Sequence, residues 1–265
     1  MSLHSTLKWR SPPLPALDWA LFLDVDGTLL DIASSPDSVV VPPSLLLHLR
    51  ALHQHLGGAL ALVSGRPVAD LDSLFAPLRL PAAGQHGSEW RDTGSDLLFS
   101  LPASPLLPAL HALGHDLQNR FPGLLAEHKT LGVALHYRHA PQAGEAVRAA
   151  LAALLEQDPG LELIPGQYVW EARSRSANKG VAVQRFMADP AFQGRKPVFL
   201  GDDHTDFDGF RAARALGGLA LPVGERAHRE SGEAAPAGFA DAAAVRAWLA
   251  RFYDTTTDHH SNRIE

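Results

Sequence analysis

The 265 residues contain no cysteine. Disulfide scaffolds, thiolate metal sites and thiol nucleophiles are therefore all excluded. Positive charge is also short: 23 lysines and arginines stand against 29 aspartates and glutamates, a formal net charge of −6. Such a chain lacks the basic excess of a general nucleic-acid binder, so no nucleic-acid partner is expected, and any anionic ligand must be met by a local cluster of cations. No apolar run is long enough for a membrane-spanning helix, and the opening residues break on Pro12, Pro13 and Pro15 instead of forming the apolar stretch of a secretory leader. No membrane partner and a cytoplasmic setting are expected. Repeats and low-complexity segments are absent as well. What remains, 46% hydrophobic and 20% charged residues, describes a globular protein of one large or two smaller domains.

Within this ordinary composition, Trp19–Leu30 reads WALFLDVDGTLL. The apolar Ala20–Leu23 runs into Asp24, Val25, Asp26, Gly27 and Thr28, the pattern of a buried strand ending in two carboxylates and a glycine turn. In an open α/β sheet the carboxyl ends of parallel strands face the ligand crevice. Asp24 and Asp26, two apart, would share one face of a strand. Acids that close repel unless a proton or a cation lies between them. A divalent, oxygen-seeking ion such as Mg²⁺ suits both the pair and an anionic substrate. Alone, a DxDG segment reads as well as a surface turn, so its partners decide.

Further along, Pro42 and Pro43 open a helix with Leu45, Leu49, Leu52 and Leu56 on one face, and Gly57 and Gly58 stop it. Ala59–Val63 is a second buried strand ending in Ser64, Gly65, Arg66 and Pro67. Leu78–Ala83 is a third, leading to Gly84, Gln85, His86 and Gly87. From Arg91 to residue 173 the order becomes β, α, β, β, α, β, β, with strands Leu124–His128 and Gly132–Arg138 around a short turn, and Leu161–Ile164 and Gln167–Glu171 across Pro165 and Gly166. Val133, Leu135 and Tyr137 alternate with Ala134, His136 and Arg138, which predicts a half-buried strand with a polar, basic face. The βα rhythm then resumes with helix Asn178–Met187, strand Pro197–Leu200, the polar run Gly201–Asp206, a helix, strand Leu219–Val223 and a last helix Asp241–Phe252. The expected fold class is α/β: a doubly wound, mainly parallel sheet core from residues 1–90 and 174–265, interrupted by a smaller α+β module at 91–173 that would serve as a cap domain. Residues 1–17 are expected to form a flexible lead and those from 254 a disordered tail, in which His259 and His260 need no metal role.

Three strands thus end in reactive residues, Asp24 with Asp26, Ser64 with Arg66, and Asp202 with Asp203, and a helix start adds Asn178, Lys179 and Gly180. Phosphoryl transfer needs such a set, because its spread negative charge must be met by a metal and cationic donors. Asp24, with an ordinary pKa of about 4, is ionised at neutral pH and can attack phosphorus to give an aspartyl phosphate. Asp26 would protonate the leaving oxygen and later deprotonate the attacking water. Ser64 would donate to a phosphoryl oxygen, and Lys179 would offset charge while holding Asp24. Asp202 would complete the Mg²⁺ shell with Asp24 and the backbone carbonyl of Asp26, while Asp203 and Asp206 order its surroundings. Thr28, Gly65, Arg66, His86 and Asn178 are expected to border the substrate, although His86 alone reads equally as a turn histidine. A non-hydrolytic aspartyl-phosphate switch is the alternative, but Asp26 supplies a general acid that a slow switch would not want.

DVDGT at 24–28, SGR at 64–66, Lys179 and GDDHTD at 201–206 resemble the four signatures of haloacid dehalogenase-type phosphatases. Within that superfamily, AAGQHGSEWRD (82–92), EHKTLGVALHYRHAP (127–141), VWEARSRSANKG (169–180) and GDDHTDFDGF (201–210) are similar to the trehalose-6-phosphate phosphatase family, over about Trp19 to Trp248. The resemblance implies a haloacid dehalogenase-like core with an inserted cap, Mg²⁺ dependence and release of phosphate from trehalose 6-phosphate. It also implies that Glu127, Lys129 and Glu171 grip glucose hydroxyls, with His136 and Arg138 as further contacts. Carboxylates accept from hydroxyls and lysine donates to them, which suits the assignment, and the three residues are expected at the ends of adjacent strands. Another sugar phosphatase of the superfamily, acting for example on sucrose phosphate, is the alternative within the class. Phe207 departs from the pattern, which usually has an acidic residue there. The protein is expected to act as a monomer.

Overall fold

The computed structural model describes residues 10–32, 39–230 and 237–261, and from 256 on the backbone alone. The chain divides into two compact units, Met1–Phe99 with Asn178–Glu265, and Ser100–Ala177. In the first, β1 (Trp19–Leu23) is buried at every residue. It pairs in parallel with β10 (Lys196–Gly201) on one side and β2 (Leu60–Val63) on the other. β11 (Leu219–Pro222) continues the sheet beyond β10, and β3 (Ala82–Gly84) beyond β2, both in parallel. An antiparallel β4 (Glu89–Arg91) and the two-residue β5 (Phe99–Ser100) complete the order β11-β10-β1-β2-β3-β4-β5. A parallel sheet buried on both faces demands strands that are apolar throughout, which is why WALFL and LALV read as unbroken hydrophobic runs.

Helices α1 (Pro43–His55), α5 (Lys179–Met187), α6 (Phe207–Ala215) and α8 (Ala242–Ser261) contribute Leu45, Leu49 and Leu52, Val183 and Phe186, Phe210, and Val245 and Trp248 to one core with the sheet. α1 begins on Pro43, whose missing N–H costs nothing in a first turn, and it stops at Gly57 and Gly58, both at positive φ. The shorter helices α2 (Val68–Leu74) and α7 (Gly224–Glu230) also belong to this unit.

The second unit is a four-stranded antiparallel sheet in the order β6 (Leu125–Lys129), β7 (Gly132–His136), β9 (Val169–Ser174), β8 (Leu161–Gly166). Val133, Leu135, Ala172 and Leu161 form a separate core with Leu110 and Leu117 of α3 (Leu107–Arg120) and Val147 and Leu151 of α4 (Gly144–Leu155). Gly114 lets α3 lie close, since a Cβ there would sit 3.2 Å from Val133 Cγ2. Each fully buried Val or Leu contributes about 1.5–3 kcal/mol. Leu135→Ala, in the centre of this small core, would cost roughly 2–5 kcal/mol.

Several expectations need correction. The first strand assigned to the inserted module, β5, pairs into the core sheet, and the division falls within it, between Phe99 and Ser100, and again after Ala177. The lead is tied down from Arg10 onward: Arg10 bridges to Ala237, and Trp248 Nε1 donates to Pro13 O at 3.1 Å. Residues 1–9 lie outside the described part. Instead of ending at Phe252, the last helix continues to Ser261, so the tail expected from 254 is helical over that length; residues 262–265 and the side chains of His259 and His260 lie outside the described part.

Candidate active site

β1 is the strand from which neighbours run in both directions, so the gap beyond its carboxyl end is the crevice where an open α/β sheet binds ligands. Asp24 follows Leu23 there, its N–H donating to Leu200 O at 3.0 Å, and it is buried. The chain then turns at Gly27, with φ +82°, and Thr28 Oγ1 donates to Asp202 Oδ1 at 3.3 Å. Ser64 leaves β2 beside it, its N–H bonded to Ala83 O and its Oγ accepting from Arg66 N at 3.1 Å.

Lys179 opens α5 after Asn178, whose side chain accepts from Val181 N as the helix cap. Its buried ammonium donates to Asp24 Oδ1 at 2.7 Å and to Asp206 Oδ1 at 2.6 Å. The other oxygen of Asp206 accepts from the N–H groups of Asp202 and Asp203 at 3.0 and 3.1 Å. Asp203 in turn accepts from Thr205 N and Oγ1, closing a capping box with Asp206. One carboxylate oxygen from each of Asp24, Asp202 and Asp206 lies within 4.8 Å of the others. Gly201 is required here, because a Cβ would fall 2.2 Å from Asp206 Cγ.

The site holds more acid than base. Burial alone would push the Lys179 ammonium down, but Asp206 and Asp24 outweigh it and hold the lysine charged, above its usual range. Burial raises the Asp24 and Asp206 carboxyls against the pull of Lys179. Asp202, without a lysine of its own, is pushed up to about 8 by burial and by Asp24. Burial also works on Asp203, yet Lys179 and the Thr205 bonds keep it below the ordinary value. Such a cluster gains from a cation. The donors are hard carboxylate oxygens, and Gly27 keeps a side chain out, since a Cβ would stand 2.2 Å from Asp202 Oδ2. Both Asp206 oxygens are already engaged, so Asp24 and Asp202 are the carboxylates with capacity left for an ion. The residues present fit an oxygen-preferring divalent cation.

A family model described as trehalose-phosphatase matches residues 22–239. The trehalose-6-phosphate phosphatase of Escherichia coli K12 is 40% identical over 223 residues, covering 84% of this chain and 83% of that protein. A probable trehalose-phosphate phosphatase of Sinorhizobium fredii is 42% identical over 208 residues, 78% of each chain. The chain belongs to the trehalose-phosphatase family. Its fold is that of haloacid dehalogenase-like hydrolases: the C-terminal domain of the C. albicans trehalose-6-phosphate phosphatase superposes with a TM-score of 0.73 at 20% identity over 89% of this chain and 92% of that one. A haloacid dehalogenase-like hydrolase from Bacteroides thetaiotaomicron does so at 0.63 and 14%, over 87% and 98%.

In this trehalose-phosphatase relative, Asp24, Thr28, Lys179, Asp202, Asp203 and Asp206 are brought together in the first unit. Asp26 is held apart from the acid cluster: Arg66 Nε and Nη2 grip its two oxygens at 2.6 and 2.7 Å. That contact, across 40 residues of sequence, was not foreseen. Nor was the loop after β3, where Gln85 and His86 take φ of 46° and 58°, positive for non-glycine residues. Their N–H groups bond Arg66 O and Ser64 O, and the His86 ring lies over Gly65, whose added Cβ would meet it at 2.8 Å. Phe207, where an acid was expected, packs edge-on against Phe210.

Glu127, Lys129, Arg138 and Glu171 belong to the second unit. Glu127 and Glu171 lie in mid-strand rather than at strand ends, and β7 runs between their strands, so they are not on adjacent strands. Glu127, whose side chain is about half exposed, pairs with His136 at 3.0 Å, and that bond holds its carboxyl below the ordinary value against partial desolvation. Lys129 pairs with Glu171 at 3.0 Å, and Arg138 lies over the Tyr168 ring. Arg173 with Glu162, at 3.1 Å, is a further pair on this polar face that the sequence reading did not single out; the alternation of Glu171 and Arg173 was its available signal.

Proposed function

We propose that the protein is a Mg²⁺-dependent phosphomonoesterase releasing phosphate and trehalose from trehalose 6-phosphate through an aspartyl-phosphate intermediate, acting as a monomer in the cytoplasm. The observation that carries this reading is the buried Lys179, bridging Asp24 at 2.7 Å and Asp206 at 2.6 Å beside Asp202, at the carboxyl end of the central strand. Asp24 and Asp202, with the Asp26 carbonyl, would hold Mg²⁺, which when bound offsets phosphoryl charge and aligns the phosphate.

In this reading the Asp24 oxygen not bonded to Lys179 attacks phosphorus. The bond from phosphorus to the sugar oxygen breaks, and Asp26 gives that oxygen a proton. Water then attacks the aspartyl phosphate, Asp26 takes its proton, and phosphate leaves with Asp24 restored. Arg66 now holds both Asp26 oxygens, and an arriving phosphate offers its guanidinium another anion, freeing Asp26 for proton transfer. Ser64 and Thr28 would steady phosphoryl oxygens, and Gly65, His86 and Asn178 would shape the rim. The second unit, as a cap domain, would supply the sugar contacts through Glu127, Lys129, Glu171 and Arg138.

The test is phosphate release from trehalose 6-phosphate, sucrose 6-phosphate and glucose 6-phosphate, with Mg²⁺ and with chelator. Strong preference for trehalose 6-phosphate, abolished by chelation, is expected. Equal rates on trehalose 6-phosphate and glucose 6-phosphate would defeat the sugar assignment.

A further inference from the structure

Along the polar face of the second unit's sheet, the register sets Glu127 opposite Ala134 and Ala134 opposite Glu171, so the three form one row across β6, β7 and β9. Lys129 sits opposite Gly132 in the next row. The side chains that β7 presents on this face are therefore the smallest available, until His136 closes its end. β6 and β9 flank β7, so their backbones stand two strand spacings apart, roughly 9–10 Å. Lys129 Nζ nevertheless meets Glu171 Oε1 at 3.0 Å. The two side chains must lean across β7, over Gly132 and Ala134. This explains why Ala134 is only 1% exposed although Val133 and Leu135, not Ala134, belong to the helix-covered core.

We propose that Ala134 is a specificity-determining residue. Its methyl keeps the floor of a shallow trough low enough for the Lys129–Glu171 bridge to lie flat, with Glu127 beside it, so that the uncharged, polyhydroxylic part of a sugar phosphate meets acceptors and a donor in one plane. A larger side chain at 134 would lift or part the bridge and occupy the space of the sugar. Gly132 cannot report on this, because a Cβ there would lie 2.2 Å from Ala172 O and disturb the sheet whatever the ligand. The inference rests on the reading above that this face holds the sugar.

The experiment compares kcat/KM for trehalose 6-phosphate and for p-nitrophenyl phosphate, which has no polyol, in the wild type and in Ala134→Ser, Ala134→Val and Ala134→Leu. The serine variant should resemble the wild type. Valine and leucine should lower kcat/KM for the sugar phosphate by roughly 10- to 200-fold, chiefly through KM, with p-nitrophenyl phosphate turnover unchanged and only a modest fall in unfolding temperature. Valine, a strand former, carries the test if leucine prevents folding. A flat series, or an equal loss on both substrates, overturns the role of Ala134. A wild type that hydrolyses p-nitrophenyl phosphate but ignores trehalose 6-phosphate instead overturns the sugar reading itself.

Discussion

Lys179→Met removes one ammonium and keeps an unbranched stem in its place. In the wild type that ammonium serves two carboxylates at 2.7 and 2.6 Å, and the three side chains are 3%, 6% and 0% exposed, so water cannot replace it. Taking away one partner of a buried ion pair costs about 3–5 kcal/mol, because the other charge is left uncompensated. Here two acids are left, but they have an escape, which is to bind protons. Without the lysine, the Asp24 and Asp206 carboxyls rise further above their unfolded value of 3.8. Groups with raised acid pKa values make the folded state bind more protons than the unfolded state, so the variant loses stability as pH rises above about 4. The wild-type lysine has a folded pKa above its unfolded 10.5, so its contribution is complete below that value and constant between pH 5 and 8. The deficit of the variant should therefore be small at pH 5 and full at pH 8. At about 2–4 °C per kcal/mol for a domain of this size, the melting temperature at pH 8 falls by roughly 6–20 °C. Calorimetry in chelator at both pH values decides. A drop at pH 8 below about 2 °C, or one equal at the two pH values, would refute the claim that this lysine neutralises buried acid.

Other perturbations test neighbouring parts of the site. Asp26→Asn should abolish turnover while Mg²⁺ still raises the melting temperature, and a variant with full activity would remove Asp26 from proton transfer. Gly27→Ala places a methyl 2.2 Å from Asp202 Oδ2 at φ +82°, so it should cost roughly 1–3 kcal/mol and eliminate phosphate release; unchanged melting and activity would show that the turn is less constrained than it looks. In the metal-free protein the Asp202 carboxyl, at about 8 against 3.8 unfolded, binds a proton on folding, so stability declines as pH rises between those values. The gain in melting temperature from added Mg²⁺ should accordingly be larger at pH 8 than at pH 5, and a gain independent of pH would contradict the site's excess of negative charge.

The core was legible because its evidence is local. WALFL, LALV and the PVFLG of β10 are unbroken runs without a charged residue that stop at Asp24, Ser64 and Asp202, and a fully buried parallel strand has no other way to be written. The same locality limited the rest. β5 contains two residues, too few for periodicity to assign it to either sheet, and only pairing shows that it extends the core. Gln85 and His86 adopt positive φ without being glycine, so the bend that brings their N–H groups to Ser64 and Arg66 carries no compositional mark. On the second sheet, alternation correctly put His136 and Ala134 on one face and Val133 and Leu135 on the other. Alternation cannot say which strands are neighbours, and the row Glu127–Ala134–Glu171 exists only because β7 lies between β6 and β9. The acidic site shows the same division. Five aspartates and one lysine could be counted along the chain, but whether the lysine would be shared depended on α5 starting beside the end of β1. Once Lys179 is committed to Asp24 and Asp206, Asp202 is left as the acid without a cation, and the proton or metal ion it takes up is decided by that geometry and not by the count.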